Sequence, residues 1–276
     1  MAGTLYRPYR SYSMNRIFNL GLCVLALSLA ACGKQEPKTA AAPAPTEYLV
    51  GAEATFAPFE YQNEQKEIVG FDVDVMNAIA DKGGFKIKFV NTPFEGIFNF
   101  LAQGDRDLLA SAITITDERK QTVDFSEPYF EANQLIVVPK NSKVTKFADL
   151  KNMKVGVQSA TTGDEIVQKE LGKNNPNIKR LESATLVMKE LEGGGVEAVV
   201  SDNGVVKNYI KNNPSEGFRL ISDPAFSKEY YGIAVKKGNT ELLAKVNKGL
   251  AAIRADGTYD KIYAKYFADS ATDSAK

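Results

Sequence analysis

Short apolar runs alternate with stretches of helical period along most of the chain. Tyr48–Glu53 is a first apolar run, and Ala54–Phe59 (ATFAPF) leaves it as an aromatic-bearing loop. Phe71–Lys82 places Phe71, Val75, Ala78 and Ile79 on one face, with Asp72 near its start and Gly83-Gly84 behind it, which predicts an amphipathic helix. Phe85, Ile87 and Phe89 alternate with Lys86 and Lys88, the period of a half-buried strand. Glu95–Gln103 reads as a helix with Ile97, Phe98 and Leu101 as its stripe, and Leu108–Ser111 as a strand. This order predicts an α/β layer with mostly parallel pairing.

The rhythm then restarts. Ala132–Pro139 and Lys154–Gln158 read as strands, Asp164–Leu171 as a helix and Ile178–Leu181 as a strand. Ala184–Glu192 is a helix stopped by Gly193-Gly194-Gly195, and it is followed by strand Val196–Ser201 and helix Val205–Asn212. Tyr231–Val235 is one further strand, and Glu241–Ala255 and Tyr259–Phe267 are C-terminal helices split at Asp256-Gly257. Two such rounds, each with material for its own core, predict two domains.

The beginning of the chain breaks this rhythm. Arg16 precedes an apolar run, Ile17 to Ala30, that ends in Ala30-Ala31-Cys32. A basic start, a short apolar stretch and small residues before the break read as a secretory signal over residues 1–31. A spanning helix needs ~20 apolar residues, and here a Pro/Ala-rich tail follows at once. Residues 1–13 add nothing a signal needs, so Met14 is a candidate start. Leu29-Ala30-Ala31-Cys32 resembles a bacterial lipobox, whose cysteine is acylated and becomes the first residue. Residues 32–46 are then a lipidated Cys32 and a flexible tether, GKQEPKTAAAPAPT.

Composition narrows the function classes. The chain of 276 residues is 44% hydrophobic and 25% charged, an ordinary globular balance. Basic and acidic residues number 34 each, and loss of Arg7, Arg10 and Arg16 with the leader leaves an acidic excess, which does not suit nucleic acid. Cys23 leaves with the leader and Cys32 carries lipid, so no disulfide or cysteine metal site is expected. The sequence contains no histidine, which excludes imidazole-based triads and metal sites. No phosphate loop of the P-loop type appears. Asp72 and Asp74, two apart on a helix, face different ways and read as capping and surface charges. No catalytic residue, metal or cofactor is expected.

Binding chemistry is better represented. In Ala110–Tyr129, Thr114 is followed by Asp117-Glu118-Arg119-Lys120. A guanidinium beside hydroxyls and strand-end amides can hold a carboxylate, because its planar fork matches two oxygens. From spacing alone the cluster is better explained by a wet loop in which Arg119 pairs with Asp117 or Glu118. Glu53 and Phe56 follow the first strand, at the carboxyl edge where open α/β sheets bind ligands; Phe59 reads as core. Gln158-Ser159-Ala160-Thr161-Thr162-Gly163-Asp164-Glu165 opens a helix whose free amides favour an anion, and Thr162 with Glu165 has capping-box spacing. Asp202 ends an apolar strand and suits either an ammonium group or a helix N-cap. Taken together, these are the charges that a zwitterion held between two lobes requires.

The motifs ATFAPFEY, IVGFDVDVMNAIA, ITITDERKQTVDFSEPYF, KVGVQSATTGDE, EAVVSDNGV, YYGIAVKKGN and DGTYDKIYAKYF run in order from about Tyr48 to Phe267. In this the chain resembles the family 3 solute-binding proteins that serve polar amino-acid ABC transporters, with arginine- and glutamine-type branches nearest. The resemblance implies a two-lobe fold of the type II periplasmic-binding-protein class, each lobe a mostly parallel sheet flanked by helices. Lobe 1 is then discontinuous, 47–138 and 229–270, and lobe 2 is 139–228. The implied crossings lie near Val137–Lys140 and Ser227–Ala234.

Carried over by position, the resemblance implies that Arg119 holds a ligand carboxylate with Thr114 and the Thr162 amide. Asp202 and the Ala112 backbone hold the ammonium. Phe56 and Phe94 sandwich the side chain, Glu53 and Gln158 touch its far end, and Thr161 and Ser111 lie close by. Ala112 stands where many relatives carry serine or glycine. The implied protein is a lipid-anchored monomer on the periplasmic face that hands a free L-amino acid, arginine ahead of glutamine, to an ABC permease. A lyase of the cyclohexadienyl dehydratase kind on the same scaffold, with Glu53 as its acid, and an amino-acid sensor domain are the alternatives.

Overall fold

The computed structural model describes residues 47–268, so the leader, Cys23, Cys32 and the tether lie outside the described residues, as does the end of the expected range 229–270. The first five-stranded sheet runs Ile87–Asn91, Tyr48–Ala52, Leu108–Leu109, Ala234–Lys236, Val123–Phe125. The second runs Ile178–Leu181, Val155–Gln158, Ala198–Asp202, Gln134–Pro139, Phe218–Ile221. In each, the first three strands are parallel and the fourth is antiparallel to both neighbours. The fourth strand enters each sheet from the other lobe rather than through a crossover helix, and so is free to run antiparallel.

Helices cover both sheets, and the strand sequences reflect it. Ala198–Asp202 is buried throughout, as is Gln134–Val138. This is the near-continuous apolar run expected of strands covered on both faces. One core of the second lobe gathers Val155, Val157, Val167 and Ile136, and the other Val137, Val187, Leu191 and Val199. Helix Phe71–Gly83 packs on the first sheet through Val75, Met76 and Ile79. Helix Thr240–Ala255 returns to the same core through Leu242, Val246, Leu250 and Ile253. These two helices meet closely at Gly249, where a Cβ would stand 2.2 Å from the Ile79 carbonyl oxygen. Phe59 is fully buried at the centre of an aromatic cluster with Phe71, Phe130, Tyr231 and Phe267.

Between the sheets lies a two-stranded antiparallel ribbon, Phe130–Ala132 against Glu229–Tyr231, that belongs to neither. The second crossing falls within Ser227–Ala234. The first does not fall at Val137–Lys140, because Gln134–Pro139 is already inside the second sheet, paired to Ala198–Asp202 and Phe218–Ile221. An apolar run announces a buried strand but carries no sign of which sheet takes it. The stretch read as a loop at Ala54–Phe59 holds Thr55–Phe56, which pairs with Glu60–Gln62 and through it with Ile68–Val69 in a small three-stranded sheet.

Candidate functional site

Every binding residue expected from the sequence lines one cavity between the lobes, together with Glu60. The positions follow from strand ends. Glu53 is next after strand Tyr48–Ala52, Ser111 and Ala112 follow Leu108–Leu109, and Arg119 opens the short helix Arg119–Thr122. From the second lobe, Gln158 ends Val155–Gln158 and Asp202 ends Ala198–Asp202. Thr161 and Thr162 start helix Thr162–Leu171. Both sheets therefore turn their carboxyl edges toward the same space. The lobes are drawn together over it: the space amounts to about 10 Å³, room for roughly one water.

Arg119 is only 7% exposed and makes no ion pair with Asp117 or Glu118 among the described residues. Asp117 pairs with Lys120 instead. The guanidinium donates to the Thr114 carbonyl at 2.9 Å and, across the cleft, to the Ala160 carbonyl at 3.2 Å. It lies over Phe94 and Phe98, at 5.4 Å from the Phe98 ring centre. Burial pushes its pKa down, and the carboxylates Glu165, Glu229 and Asp202 oppose that. A charged fork whose protein acceptors are two carbonyls keeps donors for a further anion.

Opposite Arg119, the helix cap differs from the expected capping box. Thr161, not Thr162, is the N-cap, and its hydroxyl accepts from the Asp164 amide at 3.2 Å. The amides of Thr162 and Gly163 find no protein acceptor among the described residues, so the helix offers them with its positive end. The backbone is held in sparsely occupied conformations on both sides, with φ of +46° at Ala112 and +63° at Ala160.

The acidic groups sit away from the guanidinium or beside it in distinct settings. Glu53 accepts from Thr55 Oγ1 at 2.7 Å and from Gln158 Nε2 at 3.3 Å, while burial raises its pKa. Asp202 starts helix Asn203–Asn212 without capping it; its oxygens take Gln134 Nε2 at 2.5 Å and the Tyr231 hydroxyl. The N-cap alternative for its side chain is thereby set aside. Burial foremost, and then the nearby Glu229 charge, raise its pKa.

Asp72 corrects the sequence reading. It is no surface charge but is 1% exposed, with Oδ2 accepting from the Ala112 amide at 2.7 Å and the Tyr129 hydroxyl at 2.6 Å. Of the two, only Asp74 lies at the surface, half-buried and held by Lys265. Glu60 escaped the sequence reading altogether. Fully buried, it accepts from Ser111 Oγ at 2.7 Å, and Ser111 Oγ in turn accepts from the Glu53 amide. Its Oε2 and Asp72 Oδ1 are both buried without a donor, and burial with the Asp72 charge holds Glu60 well above the usual carboxylate range. The one available signal was an acid directly after buried Phe59.

Two parallel-edged sheets with a hinge ribbon, and a buried guanidinium and buried carboxyl groups lining one cavity between them, define a two-lobe ligand-capture protein. The chain belongs to the bacterial extracellular solute-binding proteins, family 3, which it matches over residues 48–269. It is 48% identical over 268 residues to a "Probable histidine-binding protein" of Neisseria gonorrhoeae, covering 96% of this chain and 100% of that one. With "ABC transporter arginine-binding protein 1" of Escherichia coli K12 it shares 35% identity over 79% of this chain and 89% of that one. A solved arginine-, lysine- and histidine-binding protein, ArtJ of Geobacillus stearothermophilus, superposes with a TM-score of 0.78 at 45% identity, covering 80% and 95% of the two chains.

Proposed function

We propose that the chain captures a basic L-amino acid, arginine foremost, in the interlobe cavity and delivers it to an ABC transporter permease. The carrying observation is the charge layout of the lining. Arg119 is its one cation among the described residues, whereas Glu53 and Asp202 line it as acids beside Glu60, which burial holds toward its neutral form. Once a ligand carboxylate answers Arg119, the remaining acids call for more positive charge than an α-ammonium alone supplies.

In this reading the carboxylate lies on Arg119 and the Thr162 amide, with Thr114 beside them. The ammonium faces Asp202 and the Ala112 backbone. Phe56 and Phe94 flank the side chain, and its tip meets Glu53 and Gln158, with Ser111 and Thr161 close by. Ser111 serves mainly by anchoring Glu60. Relatives named for histidine and arginine support a basic ligand over glutamine. The ligand touches both lobes only when they close, so binding shifts the hinge toward the closed form. Cys32 carries the lipid that keeps this monomer at the membrane.

A thermal-shift screen of the common amino acids tests the assignment, because a ligand that binds only the folded form raises the midpoint. Arginine, lysine or histidine should give the largest shift. A larger shift with glutamine or cystine would overturn the choice of ligand class. The protein is read as capturing without turnover: mass spectrometry should recover the bound amino acid unchanged, and conversion would establish the lyase instead.

A further inference from the structure

We propose that Glu229, on the second crossing strand, is a positioning residue that ties the cleft-facing hydroxyls of the two lobes to one carboxylate oxygen. This rests on reading the cleft as an amino-acid site.

Glu229 Oε2 accepts from Thr114 Oγ1 at 2.7 Å and from Thr162 Oγ1 at 2.8 Å. Thr114 belongs to the first lobe and Thr162 to the second, while Glu229 lies in the ribbon between them. One oxygen reaches both hydroxyls only while the lobes are drawn together, so opening must break at least one of the two bonds. Glu229 is 8% exposed, and charge-assisted hydrogen bonds in such a setting are strong. The hinge therefore holds closure from inside the cleft, next to the ligand position.

The same bonds fix what the threonines offer. With both hydroxyl protons spent on Glu229, neither threonine has a donor left for the cavity, and Thr162 Oγ1 also accepts from Gln134 Nε2 at 3.4 Å. An arriving carboxylate is left to Arg119 and the free helix amides. Gln134 Nε2 links the two acids, donating to Asp202 at 2.5 Å and to Glu229 Oε1 at 3.3 Å. The ammonium position is thus bordered by two carboxylates, of which Asp202 faces the cavity and Glu229 stands behind it. Glu229 acts through the hydroxyls, so removing them should remove the need for it.

The experiment is a calorimetric cycle with L-arginine on the wild type, Glu229→Ala, Thr114→Val/Thr162→Val, and the triple variant. Glu229→Ala should weaken binding tenfold or more, and the valine pair should also weaken it. Adding Glu229→Ala to the valine pair should cost less than a further threefold, since coupled sites are not additive. Unchanged affinity in Glu229→Ala, or losses that multiply in the triple variant, would overturn the proposal. If Glu229→Ala does not fold by circular dichroism, Glu229→Gln carries the same cycle: a smaller loss is expected because its carbonyl still accepts both hydroxyls, and again none on top of the valine pair. A wild type that binds none of L-arginine, L-histidine, L-lysine and L-glutamine would sink the amino-acid reading and this one with it. A wild type that binds, with the variants unchanged, sinks this one alone.

Discussion

Glu53→Gln separates charge from shape at the far end of the cavity. The side chain is 6% exposed, and its Oε1 accepts from Thr55 Oγ1 at 2.7 Å, a bond that a glutamine carbonyl retains. The new amide would face Gln158 Nε2, which now donates to Oε2 at 3.3 Å. Gln158 Oε1 is buried without a partner, so turning that amide over supplies the acceptor, at the loss of the bond from Nε2 to the Glu182 carbonyl. Shape and most hydrogen bonding thus survive while one negative charge is removed. A hydrogen bond to a charged group is worth about 1.5–3 kcal/mol net, which corresponds to roughly a 10- to 150-fold weaker hold on arginine. Glutamine, with a neutral tip, should change by less than about threefold. Isothermal titration with both amino acids reads the ratio directly. If arginine and glutamine weaken by the same factor, Glu53 does not read the ligand's charge and the specificity argument fails.

Arg119→Ala should abolish detectable amino-acid binding while the circular dichroism spectrum stays native; retained affinity would remove Arg119 from the carboxylate site. Asp72 carries a pH signature. Its pKa is raised from 3.8 to about 6, chiefly by burial, so the folded state holds a proton that the unfolded state releases. Stability is then full below about pH 4 and falls by about 3 kcal/mol as pH rises through 6. Asp72→Asn keeps an acceptor for Ala112 and Tyr129 and gives Glu60 a donor. It should flatten that decline in denaturant titrations, and an unchanged slope would refute the assignment. Gly249→Ala places a methyl against the Ile79 carbonyl and should cost about 1–3 kcal/mol, seen as a lowered thermal midpoint with ligand affinity preserved.

Local signals in the sequence located most elements but not their partners. Ile178–Leu181 and Ala184–Glu192 match their expected bounds because an apolar run and a glycine stop are short-range features. Thr55–Phe56 and Ile68–Val69 have no periodicity long enough to read, and Phe218–Ile221 is a strand only because Gln134–Pro139 is there to pair with it. The site shows the same divide. Residue chemistry at strand ends singled out Arg119 and Asp202, and the family resemblance added Phe94, which on its own looks like core; all three line the interlobe cavity. Glu60, Asp72 and Glu229 were missed because their roles are defined by contacts to Ser111, Ala112, Thr114 and Thr162, distant in the chain and invisible to local patterning.

Strand Ala234–Lys236 sits inside the first sheet, and Val123–Phe125 is joined to that sheet only through it. A chain emerging from its amino end therefore completes the second lobe before it can finish the first. A truncation between Phe226 and Ala234 strands the first lobe with an open sheet and without helix Thr240–Ala255 over helix Phe71–Gly83. The second lobe, one uninterrupted segment, keeps all five strands of its sheet under the same cut. One lobe is thus written in the chain as a single passage, whereas the other is assembled from two passages that the former keeps apart.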